Sequence, residues 1–206
     1  MPTPLHAFVY LASQSPRRAQ LIEQIGIAHR PLLPERRENA ERLEEERPDE
    51  SPDDYVRRVT LAKLLAARQR RVVRMLPEAP ILAADTTVAL GRRILGKPRD
   101  AEDAAATLRA LSGRWHRVMT AVAVSHGREN LLAVSTSRVK FADLSERTIG
   151  GYIASGEPFG KAGAYAIQGP IAAWVERIEG SYTGIMGLPL FETRELLARA
   201  RVQTRA

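Results

Sequence analysis

The stretch Ser13-Gln-Ser-Pro-Arg-Arg18 places two hydroxyls and two adjacent arginines directly after a short apolar run. Ser15 followed by Pro16 predicts the start of a helix, whose first amides lack intrahelical partners and carry partial positive charge. Such a helix start attracts anions, but two arginines in its first turn add more positive charge to a positive end. This placement favours an anion site, because a bound anion would neutralise the cations.

Asp85 is the one acidic residue between Ala79 and Gly91, inside the run Ile81-Leu-Ala-Ala-Asp-Thr-Thr-Val88. A carboxylate in an apolar strand costs free energy unless it has a partner. It is therefore either a residue that caps a turn or pairs with a structural arginine, or a metal ligand or general base. The apolar surroundings favour the second interpretation.

Two further stretches could contact a phosphorylated ligand. Lys97 lies in backbone that Pro98 keeps extended, which suits a phosphate, although a lone lysine is also typical of solvated surface. The segment 155–169 contains four glycines, which let backbone approach a ligand closely, but it lacks the spacing of a Walker loop. Gln168 near its end could recognise a nucleobase edge through its amide.

Hydrophobic periodicity and turn residues predict the elements that must position these side chains. The predicted strands span 8–12, 81–90, 92–95, 114–125, 131–141 and 171–178. The predicted helices span 16–25, 55–75, 100–111, 145–156 and 189–200, and residues 31–54 are predicted to be a loop or lid. Short strands in hairpins exclude a purely parallel sheet, so this order predicts an α/β fold with a mixed sheet flanked by helices.

Composition narrows the class of protein. The 206 residues suit one domain spanning 1–206, and the absence of cysteine excludes disulfides and thiolate chemistry. Apolar runs are shorter than the roughly 18 residues that cross a bilayer, and the N-terminus does not match a signal peptide. We therefore expect a cytoplasmic protein without a membrane partner.

Charge is distributed unevenly along the chain. The acidic segment 38–54, the core of the predicted lid, carries nine acidic residues and two arginines, which gives it a charge of −7. The net charge of the whole chain is +7, so the remaining residues carry +14. Such a balance suits polyanions such as nucleic acid, an acidic membrane or phosphorylated metabolites. The alternative is a solvated, arginine-rich surface without a dedicated partner.

Taken together, these stretches resemble the Maf family of nucleoside triphosphate pyrophosphatases. The matching segments occur in order along the chain: Ser13–Arg18, Glu38 after Pro34, Lys63, Ala84–Thr86, Lys97–Pro98, Leu111–Gly113 with His116, and Ser155–Tyr165. The resemblance implies a Maf/ITPase-like fold, with two lobes around a central cleft. It also implies a cytoplasmic homodimer that splits nucleotides between the α and β phosphates and requires a divalent metal, Mg²⁺ or Mn²⁺.

The resemblance also implies roles for individual residues. Asp85 is expected to activate water and to bind the metal together with Glu38. The residues expected to hold the triphosphate are Ser13, Ser15, Arg18, Lys63 and Lys97. The residues expected to select the base, and to mark the group that cleaves dTTP and UTP, are Arg17, Thr86 and Gln168.

Two other functions remain open at this point. The isoelectric point of about 10.2 suits a non-enzymatic nucleic-acid-binding protein, but only 5% of residues are aromatic, so platforms for stacking bases are scarce. An enzyme of the same fold could also act on modified nucleotides. We expect a nucleotide substrate and no stable nucleic-acid partner.

Overall fold

The computed structural model describes residues 6–35, 38 and 41–203, except for the side chain of Glu41, so residues 36, 37, 39 and 40 of the predicted loop or lid lie outside it. The strands are β1 (Val9–Leu11), β2 (His29–Pro31), β3 (Ile81–Leu90), β4 (Arg93–Leu95), β5 (Trp115–His126), β6 (Glu129–Phe141) and β7 (Val175–Glu179). The α-helices are α1 (Pro16–Gln24), α2 (Pro52–Val73), α3 (Ala101–Leu111), α4 (Glu146–Ala154), α5 (Tyr182–Met186) and α6 (Leu190–Arg199). Short 3₁₀ helices span Glu41–Glu44, Ala162–Ala164 and Pro170–Trp174.

One mixed sheet organises the fold. Its strand order is β2-β1-β3-β5-β6-β7, and β4 pairs with β3 beside this path. Strand β1 runs parallel to β2 and β3, whereas β3, β5, β6 and β7 pair antiparallel. The predicted mixed sheet flanked by helices is therefore confirmed, while the division into two lobes stays a prediction.

Helices cover both faces of the sheet. Successive side chains of β3 point to opposite faces. Leu82 belongs to a core cluster with Leu21 of α1 and Leu197 of α6, whereas Ile81 packs in another with Leu64 of α2. Most residues of β3 are apolar because both faces of the sheet are buried. The polar atoms of Asp85 therefore need partners within the protein.

Helix α2 begins at Pro52, three residues earlier than predicted. The Ser51 hydroxyl accepts a hydrogen bond from the Asp54 amide at 3.1 Å, and two aspartates in the first turn complement the helix dipole. Helix α2 therefore takes up residues 52–54 of the predicted loop, and a 3₁₀ turn at 41–44 lies within it, while its role as a lid stays a prediction. An ion pair between Glu50 and Arg58 at 2.5 Å ties the acidic segment to α2.

The predicted helices and strands differ from the structure in two further respects. The predicted strand 171–178 is wrong in its first half, since a 3₁₀ helix at Pro170–Trp174 precedes β7. The short elements β2 and α5 were not predicted. In the described part of the chain, no helix has both the length and the apolarity to span a membrane.

Candidate active site

A cavity of about 450 Å³ opens beside the middle of β3. Its wall includes residues 12–18 from the end of β1 and the start of α1, residues of α2, residues 84–86 of β3, and two later segments at 159–162 and 185–187. The two stretches that sequence patterns single out most strongly, the Ser13–Arg18 turn and Asp85, therefore line the same cavity. Strand β1 pairs in parallel with the first residues of β3. Helix α1 begins shortly after β1 ends, so its start lies close to the part of β3 that follows the paired residues.

Asp85 is 8% exposed and forms an ion pair with Lys63 of α2. The Lys63 Nζ atom lies 2.5 Å from Asp85 Oδ1 and 2.8 Å from Glu44 Oε1. One ammonium therefore bridges two carboxylates that the chain separates by a long stretch. Among the described residues no hydrogen bond engages the second oxygen of Asp85, Oδ2, which leaves it able to accept one from water.

Glu44 connects two of the lysines that line the cavity, Lys63 and Lys97. Its Oε2 accepts a hydrogen bond from Lys97 Nζ at 2.6 Å, while Oε1 faces Lys63. Burial alone would raise the pKa of Glu44, but the charges and hydrogen bonds of Lys63 and Lys97 lower it below its usual value. Glu44 is therefore ionised at neutral pH, and it is a site residue that sequence reasoning missed.

Glu38 lies outside the lining of the cavity. Its carboxylate accepts hydrogen bonds from Arg70 Nε at 3.0 Å and Arg70 Nη2 at 2.7 Å, and Arg74 lies 3.8 Å away. These contacts, led by the Arg70 hydrogen bonds, lower the pKa of Glu38 to about 2. Glu38 does not line the cavity, so the structure does not bring it together with Asp85, and its role as a metal ligand stays an untested prediction.

Arg18 lines the cavity with its guanidinium held on three sides. Its Nε donates to the Gly187 carbonyl at 2.7 Å, Nη1 to Ser13 Oγ at 3.2 Å, and Nη2 to Thr86 Oγ1 at 3.2 Å. Burial lowers the pKa of Arg18 and the charge of Asp85 opposes this shift, but an arginine stays protonated in proteins. The described residues engage three of its five N–H donors, so two remain for a ligand.

The start of α1 lies at the cavity. Ser15 has extended backbone at the N-cap position, yet its hydroxyl makes no capping hydrogen bond to the described residues, and the first turn contains no acidic residue. Ser13 Oγ accepts a hydrogen bond from the Ser15 amide at 3.2 Å. Both serines line the cavity, and their contact with phosphates stays a prediction.

The three predicted specificity residues occupy different environments. Thr86 lines the cavity, and its hydroxyl contacts that of Thr120 at 2.9 Å. Arg17 also lines it, and its Nε is buried without a hydrogen-bond partner in the described part of the chain. Gln168 is exposed and does not line the cavity, so the structure does not bring it to the other two.

His116, one of the residues that carry the resemblance, lies behind the cavity. It is 3% exposed, stacks on Phe141, and contacts Tyr165 Oη through Nε2 at 2.8 Å. Burial lowers the pKa of His116 to about 4, so the ring is neutral at pH 7. Tyr165 lines the cavity, which makes His116 a support for its wall.

The donor set suits a hard divalent cation. Within the residues described, no group of three or more acidic, histidine or cysteine side chains could hold a metal by itself. Asp85 and Glu44 nevertheless contact the same Lys63 ammonium, which places two carboxylates next to one another. Mg²⁺ is usually bound by one or two carboxylates together with phosphates of the substrate, so these residues fit such an ion.

Comparison with known proteins identifies the family of the chain. A family model described as Maf-like protein matches residues 8–200. A relative named dTTP/UTP pyrophosphatase from Cupriavidus pinatubonensis is 56% identical over 199 residues, which cover 97% of this chain and 100% of the relative. Relatives with the same name from Cupriavidus metallidurans (58% over 194 residues, 94% and 97% covered) and Ralstonia nicotianae (57% over 198 residues, 96% and 96% covered) are similar. The chain therefore belongs to the Maf family.

Proposed function

We propose that this protein hydrolyses dTTP and UTP to the nucleoside monophosphate and pyrophosphate. One observation carries the proposal: a single cavity combines the carboxylate of Asp85, of which no described residue engages Oδ2, and the cations Arg18, Lys63 and Lys97. The names of the relatives, each more than half identical over almost the whole chain, support the choice of substrates.

The cations explain why the substrate is a polyphosphate. Lys63 and Lys97 share one carboxylate, Glu44, and Arg18 keeps two N–H donors free. A triphosphate offers several acceptor oxygens to these groups and to the first amides of α1. Because phosphoryl transfer depends mainly on charge stabilisation and alignment, these contacts would orient the anhydride bond for attack.

Asp85 would act as the general base. Oδ1 stays paired with Lys63, which keeps the carboxylate fixed, and Oδ2 accepts a proton from a water molecule in the cavity. The water oxygen bonds to the α phosphorus, the bond from that phosphorus to the bridging oxygen breaks, and pyrophosphate leaves with the electron pair. Lys97 and Arg18 would stabilise the charge that develops on the phosphates.

A divalent cation, Mg²⁺ or Mn²⁺, belongs to this proposal. Asp85 and Glu44 are the residues that would hold it, with Glu44 taking the place first assigned to Glu38. When bound, such an ion neutralises phosphate charge and lowers the pKa of water.

Selection of the base is assigned to Arg17 and Thr86. Arg17 lines the cavity, so its guanidinium could donate a hydrogen bond to a base carbonyl. A pocket built this way rejects a base that leaves the donor unpaired, at a cost of about 1–3 kcal/mol. Gln168 stays in the prediction from the resemblance, although its side chain is exposed.

A nucleotide panel tests the proposal. Pyrophosphate and monophosphate should appear from dTTP and UTP in the presence of Mg²⁺, faster than from the other ordinary nucleoside triphosphates. A parallel gel-retardation assay with DNA and RNA tests the nucleic-acid-binding alternative. Retardation without any nucleotide hydrolysis would contradict the proposal, and faster hydrolysis of a modified nucleotide would reassign the substrate.

The resemblance also implies a homodimer in the cytoplasm. Light scattering after size-exclusion chromatography measures the first, and cell fractionation the second. A mass near 22.8 kDa would contradict the dimer, because that is the mass of one chain.

A further inference from the structure

Phe159 is an exposed aromatic side chain on the cavity wall. It is 39% exposed, in a chain with few aromatic residues. The other aromatic side chains recorded as exposed are Trp174, Tyr182 and Phe191, and none of them lines the cavity. Leaving a phenyl ring in water forfeits the free energy of its burial, so a ligand that covers it gains that contribution.

The local backbone keeps this ring at the cavity rather than in the core. Gly156 and Gly160 both have positive φ, at 74° and 73°, and they turn the chain on either side of Phe159. The Phe159 amide donates to the Gly156 carbonyl at 3.4 Å, and Lys161 Nζ donates to the Glu157 carbonyl. The turn is thus closed by its own hydrogen bonds, which present the ring before any ligand binds.

Two cationic side chains share the cavity lining with this ring. Lys161 lines the cavity two residues after Phe159, and its pKa is lowered by burial and by the charge of Arg17. Arg17 also lines the cavity, so Phe159, Lys161 and Arg17 are available to the same ligand.

We propose that Phe159 stacks on the base of the bound nucleotide while the triphosphate contacts Lys63 and Lys97. This rests on the proposed function, in which Arg17 faces the base. Every base has a flat π face, so stacking contributes affinity without choosing among bases. Phe159 would therefore strengthen binding of dTTP and UTP equally, and the choice between them would stay with hydrogen-bonding groups.

Steady-state kinetics of Phe159→Ala test the inference. We expect the KM for dTTP and for UTP to rise at least about five-fold, with kcat changed less than about two-fold, because stacking is made equally in the ground and transition states. The ratio of the two KM values should stay constant. Phe159→Tyr, which keeps the ring, should retain the KM of the unmodified protein.

Inorganic triphosphate provides the decisive comparison, because it has the phosphates and no base. Its inhibition constant against dTTP hydrolysis should be the same in Phe159→Ala and the unmodified protein. Phe191→Ala is the matched control, since Phe191 is 70% exposed and does not line the cavity, and its KM should not change.

The outcomes separate this inference from the proposed function. If the unmodified protein hydrolyses dTTP and Phe159→Ala keeps the same KM, the stacking role is wrong and the function stands. An equal weakening of inorganic triphosphate would also overturn it, because Phe159 would then act on the phosphates or on the fold. Absence of hydrolysis in the unmodified protein would instead contradict the proposed function.

Discussion

Burial of His116 makes the stability of this protein depend on pH. In the folded protein its pKa is about 4, lowered from 6.5 by burial, because the ring packs on Phe141 and contacts the Tyr165 hydroxyl. In the unfolded chain the ring keeps its ordinary pKa. As pH falls below 6.5, the unfolded chain therefore gains a proton that the folded protein does not accept, and stability is lost.

The size of the effect follows from the two pKa values. At pH 5 the unfolded His116 is about 1.5 pH units below its pKa, and each unit is worth about 1.4 kcal/mol. The folded protein has hardly begun to take up its proton at that pH. The free energy of unfolding should therefore decrease by about 2 kcal/mol between pH 8 and pH 5 on account of this one residue. Below pH 4 both states are protonated and the loss stops growing.

Urea unfolding of the unmodified protein and of His116→Gln at pH 8 and pH 5 measures this contribution. Glutamine does not titrate and can still bond the Tyr165 hydroxyl, so the variant should lose about 2 kcal/mol less on acidification. Other groups, such as His6, titrate in both proteins and cancel in the difference. An identical pH dependence in the two proteins would refute the assignment of a buried, neutral His116.

Three further predictions concern stability, substrate affinity and choice of substrate. Gly163→Ala should lower the free energy of unfolding by about 1–3 kcal/mol, because φ is +71° and a Cβ would lie 2.8 Å from Val88. Urea unfolding measures this change, and Gly96→Ala is the neutral control, because a Cβ at Gly96 meets no atom within 4 Å. Lys97→Met should raise the KM for dTTP about ten-fold without changing the melting temperature, since this side chain is half exposed. Gln168→Glu should change the relative turnover of dTTP and UTP, as the resemblance implies; an unchanged ratio would remove Gln168 from base selection.

Long elements with clear periodicity were predictable from the sequence. The apolar run of β3, the β5–β6 hairpin and the Ser15-Pro16 start of α1 all appear close to their predicted positions. Elements that depend on distant contacts were not. Strand β2 consists of His29, Arg30 and Pro31, which carry no strand pattern, and it forms because β1 offers a parallel partner. The start of the predicted strand 171–178 became a 3₁₀ helix, because Pro170 favours a helical first turn.

The candidate site shows the same division. Ser13, Arg18 and Asp85, which the sequence patterns single out, all line one cavity. Ser13 follows β1 and Arg18 lies in the first turn of α1, whereas Asp85 lies in the middle of β3 rather than at its end. The sequence does not show which of the nine carboxylates of the acidic segment lies at the site. Glu44 differs from Glu38 only in what it meets after folding: Lys63, 19 residues away, and Lys97, 53 residues away, rather than Arg70.

The central claim is that Asp85 drives hydrolysis of the nucleotide in this cavity, and Asp85→Asn tests it most directly. The substitution keeps the shape of the side chain, and Lys63 keeps Glu44 as a partner, so the protein should fold with an unchanged circular dichroism spectrum. Pyrophosphate release from dTTP with Mg²⁺ should fall at least about 100-fold relative to the unmodified protein, as expected for loss of a general base. Near-normal release by a folded Asp85→Asn protein would contradict the account.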